Sequence, residues 1–273
     1  MESVDYHSAA AMLAWQIELG ADESICDQPL NRYELPAALA KPAKAAVAND
    51  PKARPTPPPV YAVPKVDGAA ISRDLAAKAG DLAALEQAVA GFEHCELKRG
   101  ARNMLFGQGV AGASVMVIGD APNRDDDRAG VFLEGARGLL FDKMFSAIGL
   151  SRTGEAPAVY YSHIMPWRPP QDRDPKPDEL SMMKPFIERQ ITLVNPDVLI
   201  LMGNIACQCM MGKRGMTRLR GDWVEVMGKP TLPMFHPSQL MRTPIAKRDA
   251  WADLLSVKSR ISGLKGHPYH EPC

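Results

Sequence analysis

Residues 232–242 read LPMFHPSQLMR, four apolar residues followed directly by histidine, proline and serine. A short apolar run that stops at such a polar corner is typical of a buried strand ending at the rim of a sheet. A histidine close to a leucine and an arginine could supply a hydrogen-bond donor, a wedge and a phosphate contact to an enzyme that acts on a base flipped out of DNA. A strand that ends in a His-Pro turn, with a leucine that only packs in the core, would have the same sequence.

Three other apolar segments have the same form, and the four together indicate the fold class. The expected strands are residues 114–119, 158–163, 198–202 and 231–235, and the expected helices are residues 71–90, 136–149, 178–194, 203–211 and 244–261. Short apolar strands that alternate with helices predict an α/β fold with a mostly parallel central sheet of about four strands and helices on both faces. Ligands of such sheets bind outside the carboxyl ends of the strands, where Asp120, His163 and His236 would converge.

The composition of the chain changes along its length and predicts four parts. Residues 1–35 include an amphipathic helix over 8–20, and residues 36–70 form a linker rich in proline and alanine, which cannot bury a core. Residues 71–265 form the α/β domain. Residues 266–273 form a tail.

Overall composition excludes several classes of protein. No apolar run is long enough to span a bilayer and no basic segment precedes a long apolar one, so we expect a cytoplasmic protein with no membrane contact. Five cysteines without a CxxC pair argue against a disulfide framework and against a four-thiolate metal site.

The formal net charge is zero, but basic residues are concentrated near the C-terminus. Residues 211–260 contain ten Lys and Arg residues against four Asp and Glu residues. This region could follow a phosphate backbone, or it could simply be a solvated surface.

Two further polar segments follow predicted strands. Residues 119–127 read GDAPNRDDD and residues 160–170 read YYSHIMPWRPP. The first could be a loop that ends in an acidic helix cap, and its spacing is not the GxGxxG of a dinucleotide-binding fold. With the HPS corner at 236–238, the order of the three segments becomes specific.

These three segments, in this order, resemble the uracil-DNA glycosylase superfamily, most closely its family 4, over about residues 92–262. That family has a GEAPG-type first motif, a strand that ends in asparagine before a CRPP-like segment, and an HPSxLLR-type second motif. The resemblance implies an enzyme that hydrolyses the N-glycosidic bond of a flipped deoxyuridine and so starts base excision repair. The N-terminal helix and the linker lie outside the resemblance.

The resemblance also implies roles for individual residues. His236 would donate a hydrogen bond to the leaving base, and Asp120 would position the attacking water and stabilise the cationic sugar. Leu240 would enter the vacated base stack. The remaining DNA contacts would come from Ser238 and Arg242, which would hold phosphates, and from Asn123. The partner would be DNA containing uracil or another damaged base, bound by a monomer.

Family 4 enzymes hold an iron–sulfur cluster through four cysteines, and this chain departs from that pattern. The matching positions are Phe92, Cys95, Trp167 and Met183. A cluster needs thiolate ligands, so we expect no cluster, no other metal and no cofactor. Apolar packing would then fill the space.

The base pocket departs from the family as well. The residues implied to bind the base are Ala121, Phe132, Leu133 and His163. Asp120 stands where the family has glutamate, and the aromatic platform aligns with Leu133, although a one-residue shift would bring in Phe132. His163 stands where the family has an asparagine that reads the base edge. An unperturbed imidazole changes charge between pH 6 and 7, so we expect activity to vary there. A histidine that only ends a strand remains an alternative.

These departures leave three functions open. The first is a glycosylase that acts on uracil in DNA. The second is a DNA-binding homologue with reduced or lost cleavage. The third is a glycosylase for another deaminated base, such as hypoxanthine or xanthine, and an unrelated α/β binding protein is a remaining alternative.

The missing thiolates generate a first testable prediction. We expect the purified full-length protein to be colourless and to contain no stoichiometric iron, because one cysteine cannot hold a four-iron cluster. Metal analysis and the visible absorption spectrum check this. About four irons per chain would contradict it.

Overall fold

The computed structural model describes residues 67–152 and 158–264, and in addition Met12 and Trp15, which are helical. The chain divides into two compact units, Met1–Tyr61 and Ala62–Cys273. The rest of the expected helix over 8–20, most of the linker over 36–70 and the tail over 266–273 lie outside the described residues. The domain boundaries therefore remain predictions.

The described part contains a five-stranded sheet, which confirms the predicted α/β class. Its strands are Val115–Gly119 (β1), Val159–His163 (β2), Val198–Met202 (β3), Val224–Val226 (β4) and Lys229–Met234 (β5). The spatial order is β2-β1-β3-β5-β4. All neighbours are parallel except β4, which pairs antiparallel with β5 at the edge. The short strand β4 was not predicted.

The three central strands explain why their sequences are apolar throughout. Every residue of β1, β2 and β3 is buried. Because successive side chains of a strand point to opposite faces, both faces of the sheet must be covered. The sheet therefore forms the centre of the core.

The helices surround this sheet. They are Gly68–Lys78 (α1), Leu82–Ala90 (α2), Leu97–Gly100 (α3), Arg124–Ala129 (α4), Ala136–Ser146 (α5), Pro177–Val194 (α6), Asn204–Met211 (α7), Met216–Leu219 (α8), Pro237–Arg242 (α9) and Lys247–Leu264 (α10), with 3₁₀ turns at Pro170–Asp172 and Pro244–Ala246. Across residues 67–152 and 158–264, none is long and apolar enough to cross a bilayer.

The helix predicted over 71–90 is wrong, and four short helices, α3, α4, α8 and α9, were not predicted. The expected helix over 71–90 is divided into α1 and α2, because the Asp81 carboxylate accepts a hydrogen bond of 2.7 Å from the Ala84 N–H and starts a new helix. Asn123 and His236 likewise cap α4 and α9. Two of the polar corners are therefore helix starts as well as strand ends.

The positions that match the family's cluster ligands are packed in the core. Phe92, Cys95, Trp167 and Met183 are all buried. The Phe92 ring meets the Phe186 ring edge to face at 5.4 Å between centroids. These residues contribute apolar burial at this end of the domain.

Burial of Trp167 generates a stability prediction. We expect Trp167→Ala to lower the free energy of unfolding by about 3–5 kcal/mol, because it removes a buried indole and leaves a cavity. Chemical denaturation measures the change. The matched control is Trp251→Ala, which removes an indole that is 45% exposed and should cost about 1 kcal/mol or less. Equal losses in the two variants would refute this account of Trp167.

Candidate active site

A cleft of about 530 Å³ opens at the carboxyl ends of the parallel strands. Six of the predicted site residues border it: Asp120, Ala121, Asn123, His236, Ser238 and Arg242. The other four, Phe132, Leu133, His163 and Leu240, are buried and do not border the cleft.

The sheet topology explains this grouping. Strand β1 pairs with β2 on one side and with β3 on the other, so Gly119 lies opposite both His163 and Met202. The chain passes from β1 to β2 on one side and then from β2 back past β1 to β3 on the other side, and this reversal opens a crevice at the strand ends. Asp120 follows β1 directly and Gly203 follows β3, so both lie at this crevice.

Asp120 is held by the start of α7. The Ala206 N–H donates to Asp120 Oδ1 at 2.7 Å. Gly203 has a φ of +125°, and a Cβ at this position would collide with the Asp120 carboxylate. Only glycine permits this approach of carboxylate and helix.

The surroundings of Asp120 alter its acidity. Burial raises the pKa of the Asp120 carboxyl to about 6, against the opposing effect of the Ala206 and Ile205 N–H groups. A carboxyl with this pKa is mostly ionised at neutral pH and can still accept a proton. This property suits a group that handles a water proton.

His236 has a defined tautomer. Its Nδ1 accepts from the Ser238 N–H at 3.2 Å and lies 3.0 Å from Ser238 Oγ. Burial, followed by the effects of His163 and the Arg137 cation, lowers the pKa of His236 to about 3. The ring is therefore neutral at neutral pH, and Nε2 carries its proton as a hydrogen-bond donor.

His163 lies beneath an aromatic ring at the end of β2. The Phe132 ring stacks on it with centroids 5.1 Å apart and planes inclined by 29°, and Tyr161 meets it edge to face at 5.2 Å. Phe132, and not Leu133, is therefore the ring beside His163. Leu133 is buried, with a φ of +54° that is unusual for a branched side chain.

The expectation that His163 titrates between pH 6 and 7 is wrong. Burial, followed by the Arg137 cation, lowers the pKa of His163 to about 3. Neither ring nitrogen has a hydrogen-bond partner within the described part of the chain, and neither has the buried Tyr161 hydroxyl. These unpaired polar groups are costly unless a ligand or water binds them.

Leu240 is only 1% exposed, so in this conformation it packs in the core and does not protrude as a wedge. The reason is the direction of α9, which turns Leu240 toward the apolar side chains of α5 and α10. The next residue, Met241, is 46% exposed. An inserting role for Leu240 would require α9 to move.

Sequence reasoning missed an ion pair beside the cleft. Arg137, the second residue of α5, contacts the buried Asp126 through both terminal nitrogens and Asn123 Oδ1 at 2.9 Å. Asn123 is thus occupied in capping α4 and in binding Arg137. The sequence around Arg137 contains no pattern that indicates such an ion pair. The position of Gly203 directly after a predicted strand, in contrast, could have marked it as part of the site.

Comparison with known proteins identifies the family of the chain. The family model described as the uracil DNA glycosylase superfamily matches residues 106–255. The type-4 uracil-DNA glycosylase of Thermotoga maritima is 30% identical over 151 residues, which cover 54% of this chain and 77% of the relative. The enzyme of the same name from Archaeoglobus fulgidus is 28% identical over 172 residues, 60% of this chain and 84% of the relative.

The chain belongs to the uracil DNA glycosylase superfamily. The suspected resemblance is confirmed by this match. An iron–sulfur cluster does not fit the residues present, because three of the four matching positions lack sulfur ligands of the required type and burial raises the pKa of the remaining Cys95 thiol.

The raised pKa of Asp120 generates a prediction with a defined sign. The pKa rises from 3.8 to about 6 on folding, so the ionised carboxylate costs stability above about pH 6 and the cost vanishes below about pH 4. We expect Asp120→Asn, which still accepts from the Ala206 N–H, to raise the free energy of unfolding by up to about 3 kcal/mol at pH 8.

Urea denaturation of both proteins at pH 8 and pH 4 tests this. The exposed Asp222 supplies a matched control, since Asp222→Asn should change stability by about 0.5 kcal/mol or less at either pH. Equal stability of Asp120→Asn and the parent at pH 8 would show that the carboxylate is not destabilised by burial.

Proposed function

We propose that this protein is a DNA glycosylase that hydrolyses the N-glycosidic bond of uracil in DNA and so initiates base excision repair. The observation that carries the proposal is the neutral His236, whose ring donor borders the same cleft as the Asp120 carboxylate. Relatives that are named type-4 uracil-DNA glycosylases support it.

The reaction breaks the bond between the sugar C1′ and the base nitrogen. The bonding electrons leave with the base, which becomes an anion, while the sugar gains oxocarbenium character. A water molecule then adds its oxygen to C1′, and its proton is released for the base. An enzyme accelerates this reaction by stabilising the two opposite charges and by orienting the water.

In this proposal His236 stabilises the departing base. Its Nε2–H donates to a carbonyl oxygen on which negative charge accumulates, as donors in an oxyanion hole do. The fixed acceptor role of Nδ1 means that the ring does not have to change tautomer during the reaction. A neutral donor also avoids trapping the base as a tight ion pair.

In this proposal Asp120 acts on the sugar and on the attacking water. Its ionised carboxylate favours the cationic sugar and can accept a hydrogen bond from the attacking water. The start of α7 holds one carboxylate oxygen, Oδ1, and fixes the direction of the other. This anchoring compensates for the methylene by which aspartate is shorter than glutamate.

The proposed DNA contacts surround this cleft. Ser238 and Arg242, from α9, contribute a hydroxyl and an exposed cation that suit phosphate oxygens. Asn123 contributes its amide N–H groups, because its oxygen is occupied. Leu240 or the exposed Met241 would support the vacated stack.

The base would be held by Ala121, Phe132, Leu133 and His163. A specific observation also favours another of the functions left open, a glycosylase for hypoxanthine or xanthine. The unpaired nitrogens of His163 present one donor and one acceptor on separate edges of the ring, which differs from an asparagine amide. An excision assay with uracil, hypoxanthine and xanthine oligonucleotides separates the two candidates.

We also propose that the protein acts as a monomer in the cytoplasm. Asp120, His236 and Arg242 all come from one chain and border one cleft, so no second chain is needed to complete the site.

The role of His236 generates a kinetic prediction. We expect His236→Ala to slow single-turnover uracil excision by about 100-fold or more while DNA affinity changes little, because the hydrogen bond strengthens chiefly in the transition state. The exposed His94 supplies the control, since His94→Ala should retain the parent rate. Parent-like excision by His236→Ala would exclude His236 from catalysis.

A further inference from the structure

Arg137 is held rigidly at the edge of the cleft. Its Nη1 and Nη2 lie 3.2 Å and 3.1 Å from the two carboxylate oxygens of Asp126, and Nη2 also donates to Asn123 Oδ1. Asp126 is 1% exposed and accepts from the backbone N–H groups of Asn123 and Glu134 as well. These buried hydrogen bonds therefore fix the position of the guanidinium.

These bonds do not use all the donors of the guanidinium. An arginine has five N–H groups, of which two are on Nη2, two on Nη1 and one on Nε. The contacts with Asp126 and Asn123 occupy both hydrogens of Nη2 and one of Nη1. No residue in the ranges 67–152 and 158–264 accepts from the other two, although the Arg137 side chain is only 13% exposed.

Arg137 is placed to contact the flipped base rather than the DNA phosphates. Arg137 borders the cleft together with His236 and Ala121. After the larger effect of burial, its charge helps to lower the pKa of His163 and of His236, and it partly opposes the rise that burial causes in the pKa of Tyr161. These three are the polar groups around the expected base site. Arg242, the expected phosphate ligand, affects only His236 among these three.

We propose that Arg137 is a specificity-determining residue that donates a hydrogen bond to a carbonyl oxygen of the flipped base. The inference rests on the proposed function. Uracil carries a carbonyl oxygen at the position where cytosine carries an amino group. A guanidinium only donates, so it binds the carbonyl and opposes the amino group. Arg137 would thus accept uracil and reject cytosine.

The experiment must not leave the buried Asp126 carboxylate unpaired. The informative variant is therefore Asp126→Asn with Arg137→Met, and its matched control is Asp126→Asn alone. Arg137→Lys in the parent keeps the charge pair but changes the donor geometry, and it remains informative if the double variant does not fold. Thermal melting establishes which variants are folded.

Affinity is measured for three otherwise identical single strands that contain 2′-fluoro-deoxyuridine, 2′-fluoro-deoxycytidine or no modified nucleotide, since the fluorine prevents cleavage. We expect the parent to prefer the uracil strand, and Asp126→Asn, which keeps Arg137 but holds it through one acceptor oxygen instead of two, to retain part of that preference. The double variant and Arg137→Lys should bind that strand about 10- to 100-fold less tightly and bind the other two unchanged. Uracil excision should fall in parallel.

Two results would overturn the inference. One is an unchanged preference for the uracil strand in the folded variants. The other is an equal loss of affinity for all three strands, which would identify Arg137 as a phosphate contact. Failure of the proposed function is distinguishable, because the parent would then bind the uracil strand with a preference but excise no uracil.

Discussion

The parallel pairing of β1 with both β2 and β3 determines where Asp120 and the start of α7 meet at the cleft. Gly119 is opposite His163 on one side and Met202 on the other, so three strands end at one level. Asp120 then meets the start of α7 at Gly203, where no Cβ could be accommodated. A shift of this register by one residue would turn each side chain of the shifted strand to the opposite face of the sheet. The Asp120 carboxylate would then be separated from His163 and His236.

Burial puts several polar groups at and near the cleft into states that cost folding free energy. At the cleft, burial raises the pKa of the Asp120 carboxyl and lowers the pKa of His236. The buried His163, which does not border the cleft, has no hydrogen-bond partner for either ring nitrogen among residues 67–152 and 158–264. The apolar sheet offsets these costs because β1, β2 and β3 are buried along their full length. Groups with altered acidity that gather in one cleft are characteristic of catalytic sites.

Much of this arrangement could be predicted from the sequence because apolar strands and their polar ends are local features. The four main strands were placed within about two residues, and the convergence of Asp120 and His236 followed from the parallel topology. What could not be predicted depends on contacts between distant segments. The burial of Leu240, the stacking of Phe132 on His163 and the anchoring of Arg137 are decided by packing, which leaves no periodic signal.

The prediction that His163 has an unperturbed pKa was wrong for the same reason. A sequence gives the intrinsic pKa of a side chain, but the burial that changes it is a property of the folded protein. Ala121, Asn123 and Ser238 border the cleft, and their functional roles stay predictions. The hydrogen bonds that Asn123 makes to the α4 backbone and to Arg137 depend on the fold and could not be predicted.

The helix α9 is only six residues long, which corresponds to a length of about 9 Å. His236 caps it, Leu240 is buried within it and Arg242 ends it, so one short helix anchored in the core carries both the proposed base donor and the proposed phosphate contact. A substitution that repacks Leu240 would shift both groups together, so it would change substrate affinity and turnover at the same time.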